Sequence, residues 1–195
     1  MVERRQTQRL AYVMLYLGIA AVITFFRLLP IGGYGVSPGA ESDDLGNGAW
    51  LAGFPMPDIL LCLTLAWVVR RPDMLPAPVI MGYFLLEDLL LMRPPGLWAL
   101  IVLLASEFLR ARTEQMRGYA FWLEYMVIFI VLAIMFFANR AILAIVMVPQ
   151  APLGLSLQLF LGTVLAYPAM VALSHYVFGL RKPATGEVDA LGQKL

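Results

Sequence analysis

The sequence predicts an all-α integral membrane protein, a bundle of six transmembrane helices that forms a single multi-pass domain over residues 1–195. The first observation is composition: 61% of the residues are hydrophobic and 14% are charged, whereas soluble domains average about half apolar and a quarter charged. The mean hydropathy of +0.80 agrees. The other two observations are the spacing of the apolar blocks and the distribution of basic residues.

The sequence contains six apolar blocks, and the length of each is comparable with the roughly 20 residues that cross a bilayer as a helix. Prolines stand near the start of the second, third and fourth blocks, and because proline suits a first helical turn, they predict helix starts there. The third and fourth blocks are short, so 76–110 is also compatible with a re-entrant hairpin. Residues 141–148 either prolong the fifth span or lie along the outer interface. The predicted spans lie near 10–30, 51–69, 76–92, 96–110, 119–138 and 153–179.

Basic residues predict the orientation. All but three of the 14 Lys and Arg residues fall in the N-terminus, the loops near 70–71 and 110–117, and the tail. Cytoplasmic loops carry such an excess, so both termini are predicted to be cytoplasmic. The polar tail 181–195 is predicted to be flexible. Three tryptophans near span ends predict an interfacial belt; they are Trp67, Trp98 and Trp122.

Several function classes are disfavoured by composition. A net charge of +1 without a concentrated basic face argues against nucleic acid as a partner. His175 is the single histidine, which excludes HExxH and multi-histidine zinc sites. The single Cys62 excludes a disulfide framework. We therefore expect no enzymatic activity, no metal and no cofactor.

The adjacent acids Glu87 and Asp88 stand inside an apolar block. Charges in hydrocarbon are costly and usually face a protein interior or a partner. Neighbouring residues are about 100° apart on a helix, so we expect one acid to face the bundle and the other a partner or the interface. The orientation places both near the outer face, level with Asp58 and Arg27.

These residues, with Arg93 and Arg140, predict a polar cluster in the outer leaflet. Arg27 is a candidate counter-ion of Asp58. Asp58 follows Pro57, so it is equally interpreted as complementing the positive end of a helix dipole. For Asp88 the alternative to a partner contact is an internal polar lock.

A second polar layer is predicted toward the cytoplasmic leaflet. Glu107 and Arg110 are spaced i,i+3 and predict an intrahelical pair. Glu124 lies at the same level. Because the ionisable groups form two layers rather than a chain across the bilayer, a conducting pathway is disfavoured.

Short motifs open and close the second predicted span and continue through the third and fourth. They are Pro57-Asp58-Ile59-Leu60-Leu61, Ala66-Trp67, Arg70-Arg71-Pro72-Asp73, Gly82, Asp88-Leu89-Leu90, Gly96-Leu97 and Glu107-Phe108-Leu109-Arg110. The order of these motifs resembles the MreD family of rod shape-determining membrane proteins. The sequence departs from the family at Leu91-Met92, where many relatives have small residues.

The resemblance implies a non-enzymatic scaffold of the elongasome in the bacterial plasma (inner) membrane, which supports rod shape and lateral peptidoglycan synthesis. Implied partners are MreC and, through it or directly, RodA, the class B penicillin-binding transpeptidase, RodZ and MreB, with membrane lipids around the bundle. The family is similar in fold to the substrate-binding subunits of energy-coupling-factor transporters, so the alternative is a small-solute-binding transporter subunit. The expected interaction or structural residues are Asp58, Asp88, Glu87, Arg27, Glu107 and Arg110.

Overall fold

The computed structural model describes residues 2–29, 56–116 and 120–176. Within these ranges the chain contains α-helices and no strand, so the all-α prediction is confirmed. Six helices of 12 or more residues overlap the six predicted blocks, and a single helical turn follows the fourth. The helices are α1 Val2–Leu28, α2 Ile59–Arg70, α3 Ala77–Leu90, α4 Leu97–Ala111, α5 Thr113–Met116, α6 Phe121–Ile145 and α7 Leu153–Tyr176. The tail 181–195 and the segment 31–55 lie outside the described residues.

Among the described residues, three helices are long and apolar enough to cross a membrane, which indicates a membrane protein. They are the Arg9–Leu28 part of α1, with 20 residues, α6 with 25 and α7 with 24. Helices α2, α3 and α4 have 12, 14 and 15 residues. At 1.5 Å per residue they measure about 18 to 23 Å, which is less than the roughly 30 Å hydrocarbon core of a bilayer.

Helix α2 lies at the centre of the packing. All its residues from Leu60 to Arg70 are buried, and it contacts α1, α4 and α7. A helix that is apolar on all sides needs neighbours on all sides. Trp67 is 1% exposed and packs against the rings of Tyr12 and Tyr16. Its predicted place in an interfacial belt is therefore wrong, because α2 is enclosed by protein up to its last turn.

Helices α3 and α4 form a hairpin across the tight turn that contains the two consecutive prolines. Gly96 caps α4 with a φ of +86°, in the left-handed region that glycine adopts without steric cost. Met92 also has a positive φ, +52°, and its side chain is 95% exposed. The predicted helix starts are confirmed at three prolines: Pro57 precedes the N-cap of α2, Pro76 caps α3, and Pro95 precedes the N-cap of α4.

The alternatives for 141–148 are now resolved. Helix α6 continues without interruption to Ile145, so 141–145 prolong it. The chain then turns at Val146 and Met147, where Met147 has a φ of +56°, and leads into α7. Helix α7 accommodates Pro168 in its interior.

A hydrogen bond in the core gives a first prediction. The Tyr16 hydroxyl lies 2.8 Å from Thr64 Oγ1, and Thr64 donates to the Leu60 carbonyl at 2.7 Å, so Tyr16 is the donor to Thr64. We expect Tyr16→Phe to lower the free energy of unfolding by about 0.6–1.7 kcal/mol, the range for interhelical hydrogen bonds in membrane proteins. Unfolding of the purified protein by a denaturing detergent, followed by circular dichroism, measures this loss.

Tyr12→Phe is the matched control, since Tyr12 contacts the same Trp67 ring and is only half-buried. Equal destabilisation by the two substitutions would contradict the assigned hydrogen bond.

Candidate functional site

The ends of three helices meet at one ion cluster. Arg27 lies in the last turn of α1, Asp58 precedes α2 and Glu87 lies near the end of α3. Arg27 Nη1 is 2.6 Å from Glu87 Oε1 and 3.4 Å from Asp58 Oδ1. The predicted Arg27–Asp58 pairing is present, but Glu87 is the nearer partner. Sequence reasoning left the role of Glu87 open because 60 residues separate it from Arg27.

Asp58 joins α2 to two other helices. Its Oδ1 accepts a hydrogen bond from the Leu61 N–H at 3.1 Å, which makes it the N-cap of α2 and confirms the interpretation as a helix-start residue. Its own N–H donates to Thr163 Oγ1 of α7 at 3.0 Å. Together with the contact to Arg27, these bonds position the start of α2 between α1 and α7.

Asp88 caps the helix that follows its own. Its Oδ2 accepts hydrogen bonds from the N–H groups of Gly96, at 3.1 Å, and Ala99, at 3.2 Å. Gly96 is the N-cap of α4 and Ala99 lies in its first turn, where helical N–H groups lack intrahelical partners. Asp88 therefore acts as an internal polar lock across the α3–α4 turn.

The expectation that one of the two adjacent acids faces outward is wrong. Both Glu87 and Asp88 are 0% exposed. They do point in different directions around α3, but the end of this helix is covered by Arg27 of α1 on one side and by the start of α4 on the other. In the described part of the chain, Glu87 Oε2 and Asp88 Oδ1 accept no hydrogen bond.

The predicted outer cluster is divided in the structure. Arg140 Nη1 donates to the Ala151 carbonyl at 3.2 Å and to Ser156 Oγ at 2.7 Å, and Gln150 donates to the Arg140 carbonyl at 3.0 Å. These bonds hold the connection between α6 and α7. Among the described residues, neither Arg140 nor Arg93 lies within ion-pair distance of a carboxylate.

Beside the ion cluster lies a cavity of about 450 Å³, within the range of about 300–1,000 Å³ typical of small-molecule sites. The start of α2, the α3–α4 turn, the end of α6 and the start of α7 line it. Most lining side chains are apolar, and Asp58 is the acidic one. Sequence reasoning missed the cavity because its wall combines four separate segments that share no linear motif. The other strongly polar lining residues are Arg93, Asn139, Arg140, Gln150, Ser156 and Thr163.

The predicted pair at the other end of the bundle is confirmed. Arg110 Nη1 lies 2.5 Å from Glu107 Oε1 in the i,i+3 arrangement. Arg110 Nη2 also donates to the Leu75 carbonyl at 2.6 Å, which ties the α2–α3 connection to α4. The Glu107 side chain is 46% exposed, so this pair adds little stability by itself.

A second buried ion pair was not predicted from the sequence. Arg70 Nη2 lies 3.7 Å from Glu124 Oε1, and the Tyr167 hydroxyl donates to the same oxygen at 3.2 Å. Arg70 was expected in a cytoplasmic loop, yet it is the last residue of α2 and 8% exposed. The pair could have been predicted from Glu124, because an acid in an apolar helix requires a partner.

No group of three or more His, Cys, Asp and Glu side chains in the described ranges is arranged to hold a metal ion. Comparison of the chain with protein-family models, with curated proteins and with solved structures gives no match.

Removal of Arg27 should destabilise the protein, because it leaves the buried Glu87 carboxylate without its ion-pair partner. In Arg27→Met the nearest cation to Glu87 is lost, and breaking a buried ion pair typically costs about 3–5 kcal/mol. We expect a loss of that size in the free energy of unfolding, and we expect Glu87→Gln in the same background to recover most of it. Detergent-induced unfolding of the three purified proteins measures both effects.

Arg112→Met is the control, because Arg112 is exposed at the end of α4. If Arg27→Met and Arg112→Met were equally stable, or if Glu87→Gln gave no recovery, the pairing would be wrong.

The cap that Asp88 provides should contribute to stability. Asp88→Ala removes the acceptor for two N–H groups of α4 and should cost about 1–2 kcal/mol, as the loss of an N-cap does. Asp88→Asn keeps one acceptor oxygen and should cost less than half as much. Glu107→Ala, at a half-exposed acid on the same hairpin, should change stability by less than about 0.5 kcal/mol. Equal losses for the Asn and Ala variants at position 88 would refute the capping role.

Proposed function

We propose that the protein is a six-span bundle of the bacterial plasma membrane, with both termini in the cytoplasm, that acts as a non-enzymatic scaffold of cell-wall elongation. The resemblance of its motifs to the MreD family supplies this assignment. In this role it binds MreC and, through it or directly, RodA, the class B penicillin-binding transpeptidase, RodZ and MreB.

The observation that carries the proposal is the use of the buried polar groups. Glu87, Asp88 and Asp58 contact other helices of the same chain, and Glu124 contacts Arg70 and Tyr167. Side chains that make such contacts fix the positions of the helices relative to one another. This arrangement supports a structural role for the acids in preference to chemistry on a substrate.

The outer surfaces of the long helices support the same role. Exposed apolar residues recur three or four positions apart on α1, α6 and α7, as on a helix face that meets lipid or another membrane helix. These residues include Val22, Phe25, Ile130, Ile134, Leu161 and Leu165.

The separation of the ion clusters supports the proposed membrane placement. Asp58 precedes α2 and Arg70 ends it, so about 18 Å of apolar helix separates the two layers. Charged groups concentrated at two levels, with a packed layer of uncharged side chains between them, fit a bundle whose ends lie near the two interfaces. They do not form the chain of polar groups that a conducting pathway uses.

The cavity favours a second candidate function. A volume of about 450 Å³ with a few polar side chains and an apolar wall is the kind of site that binds a small solute. A small-solute-binding subunit of a transporter is therefore the alternative proposal.

Native co-purification distinguishes the two functions. The tagged full chain replaces the untagged copy in its own cell and should retain MreC when it is purified in mild detergent. Depletion of the protein from these cells should make them round. Recovery of a transporter ATPase module without MreC would reject the scaffold and favour the alternative.

Tryptophan replacement on two faces adds a matched comparison. Leu86→Trp and Leu89→Trp alter the exposed face of α3, and Leu161→Trp and Leu165→Trp alter that of α7. We expect the substitutions on one of these faces to abolish co-purification with MreC while the protein level stays normal. The substitutions on the other face serve as the control and should retain MreC. Retention of MreC by both sets would contradict binding through these helix faces.

A further inference from the structure

Two guanidinium groups line the cavity without a carboxylate partner in the described chain. Arg93 follows α3, and its side chain makes no ion pair within those ranges. Arg140 uses Nη1 for Ala151 and Ser156. A guanidinium has five N–H donors on three nitrogens, so Arg140 keeps donors available on Nε and Nη2.

The acid that lines the cavity does not neutralise these arginines. Asp58 Oδ1 accepts from the Leu61 N–H, and Arg27 lies 3.4 Å away from the same oxygen. Its negative charge is therefore already shared by a cation and a helix N-terminus. The charged side chains that line the cavity are therefore two arginines and one acid that already has other partners, although Glu87, outside the lining, interacts electrostatically with Arg93.

The remaining wall restricts the class of ligand. Leu97, Leu132 and Phe160 are among the many apolar side chains that face this volume. An inorganic anion would satisfy the arginines and leave the apolar wall in contact with water, which is unfavourable in proportion to its area. A molecule with both an anionic group and hydrocarbon satisfies both parts of the wall.

We propose that the cavity binds an anionic phospholipid, with Arg93 and Arg140 contacting the phosphate and the apolar wall contacting the first segments of the acyl chains. Arginine suits phosphate because its planar fork can donate two hydrogen bonds at once. The cavity holds about 450 Å³, so the headgroup and the beginning of the chains lie inside and the chain ends extend into the bilayer. This inference rests on the membrane placement proposed above and is independent of the scaffold role.

Native mass spectrometry of the purified full chain in detergent tests the proposal. The probes are phosphatidylglycerol and phosphatidylcholine with identical acyl chains. The unaltered protein should bind phosphatidylglycerol at least about tenfold more tightly, and Arg93→Gln should lose about tenfold or more of that affinity, as the removal of a hydrogen bond to a charged group does. Arg93→Lys should retain most of it, because the positive charge remains.

Arg93 is chosen for substitution because its side chain makes no hydrogen bond to another helix among the described residues. Arg140, by contrast, holds the α6–α7 connection through its hydrogen bonds to Ala151 and Ser156. Arg112→Gln makes the same change of charge at an exposed site outside the cavity and should leave both lipid affinities unchanged. If Arg93→Gln and Arg112→Gln behave alike, the lipid is bound non-specifically and the proposal is overturned.

Three further outcomes would also overturn it. Thermal stabilisation by inorganic phosphate equal to that by phosphatidylglycerol would show that the apolar wall is not used. Equal affinity for the two lipids, which both carry a phosphate, would show that the cavity does not select a lipid of net negative charge. The sequence between α1 and α2 carries three acids, Glu41, Asp43 and Asp44. Tighter binding of phosphatidylglycerol only after these acids are neutralised would identify that acidic segment as the occupant.

The two proposals can fail separately. Arg93→Gln protein that loses phosphatidylglycerol yet co-purifies with MreC would support the lipid site and leave the scaffold role intact. Absence of MreC from the unaltered protein, with selective binding of phosphatidylglycerol retained, would reject the scaffold alone.

Discussion

The structure depends on the burial of helix α2 together with a charged residue at each of its ends. Asp58 caps the start of α2 and Arg70 ends it, and both are buried. A buried charge is strongly unfavourable unless it is paired and hydrogen-bonded. Arg27 of α1 and Glu124 of α6 supply the pairing at opposite ends. The long helices are thereby held around α2 at two levels, and the apolar side chains between those levels pack into one core.

The same requirement explains why the acids of the hairpin are enclosed. Glu87 lies against Arg27, whose guanidinium also approaches Asp58, while Asp88 satisfies N–H groups at the start of α4. Backbone N–H groups at a helix start have no intrahelical partner, so a carboxylate from the neighbouring helix is an effective cap. A compact polar network at the helix ends results, and it leaves the adjoining cavity with two arginines free of carboxylate partners in the described chain.

Much of the local structure could be predicted from patterns along the chain. The apolar runs predicted the positions of the long helices, and prolines predicted where three of them begin. The Glu107–Arg110 pair and the capping role of Asp58 followed from spacing within a single helix or at its start. The prediction failed for Trp67 and for the outward orientation of one of the two hairpin acids. The error for Trp67 arose because a position near a helix end was taken to be close to the membrane interface, whereas neighbouring helices cover that end. The error for the acids arose because the 100° between adjacent residues was taken to place one of them outside the bundle, whereas α1 covers one direction and α4 the other.

Residue types and their spacing within one helix are enough to predict the helical character of the chain and the two levels at which charged residues occur. The packing of the helices against one another was needed to find that Glu87 is the nearest partner of Arg27, that Arg70 pairs with Glu124, and that four segments line a cavity. These contacts join residues far apart in the chain. They depend on the angular position of each side chain around its helix and on which helices become neighbours. Both are set by the packing of α2 against the surrounding helices.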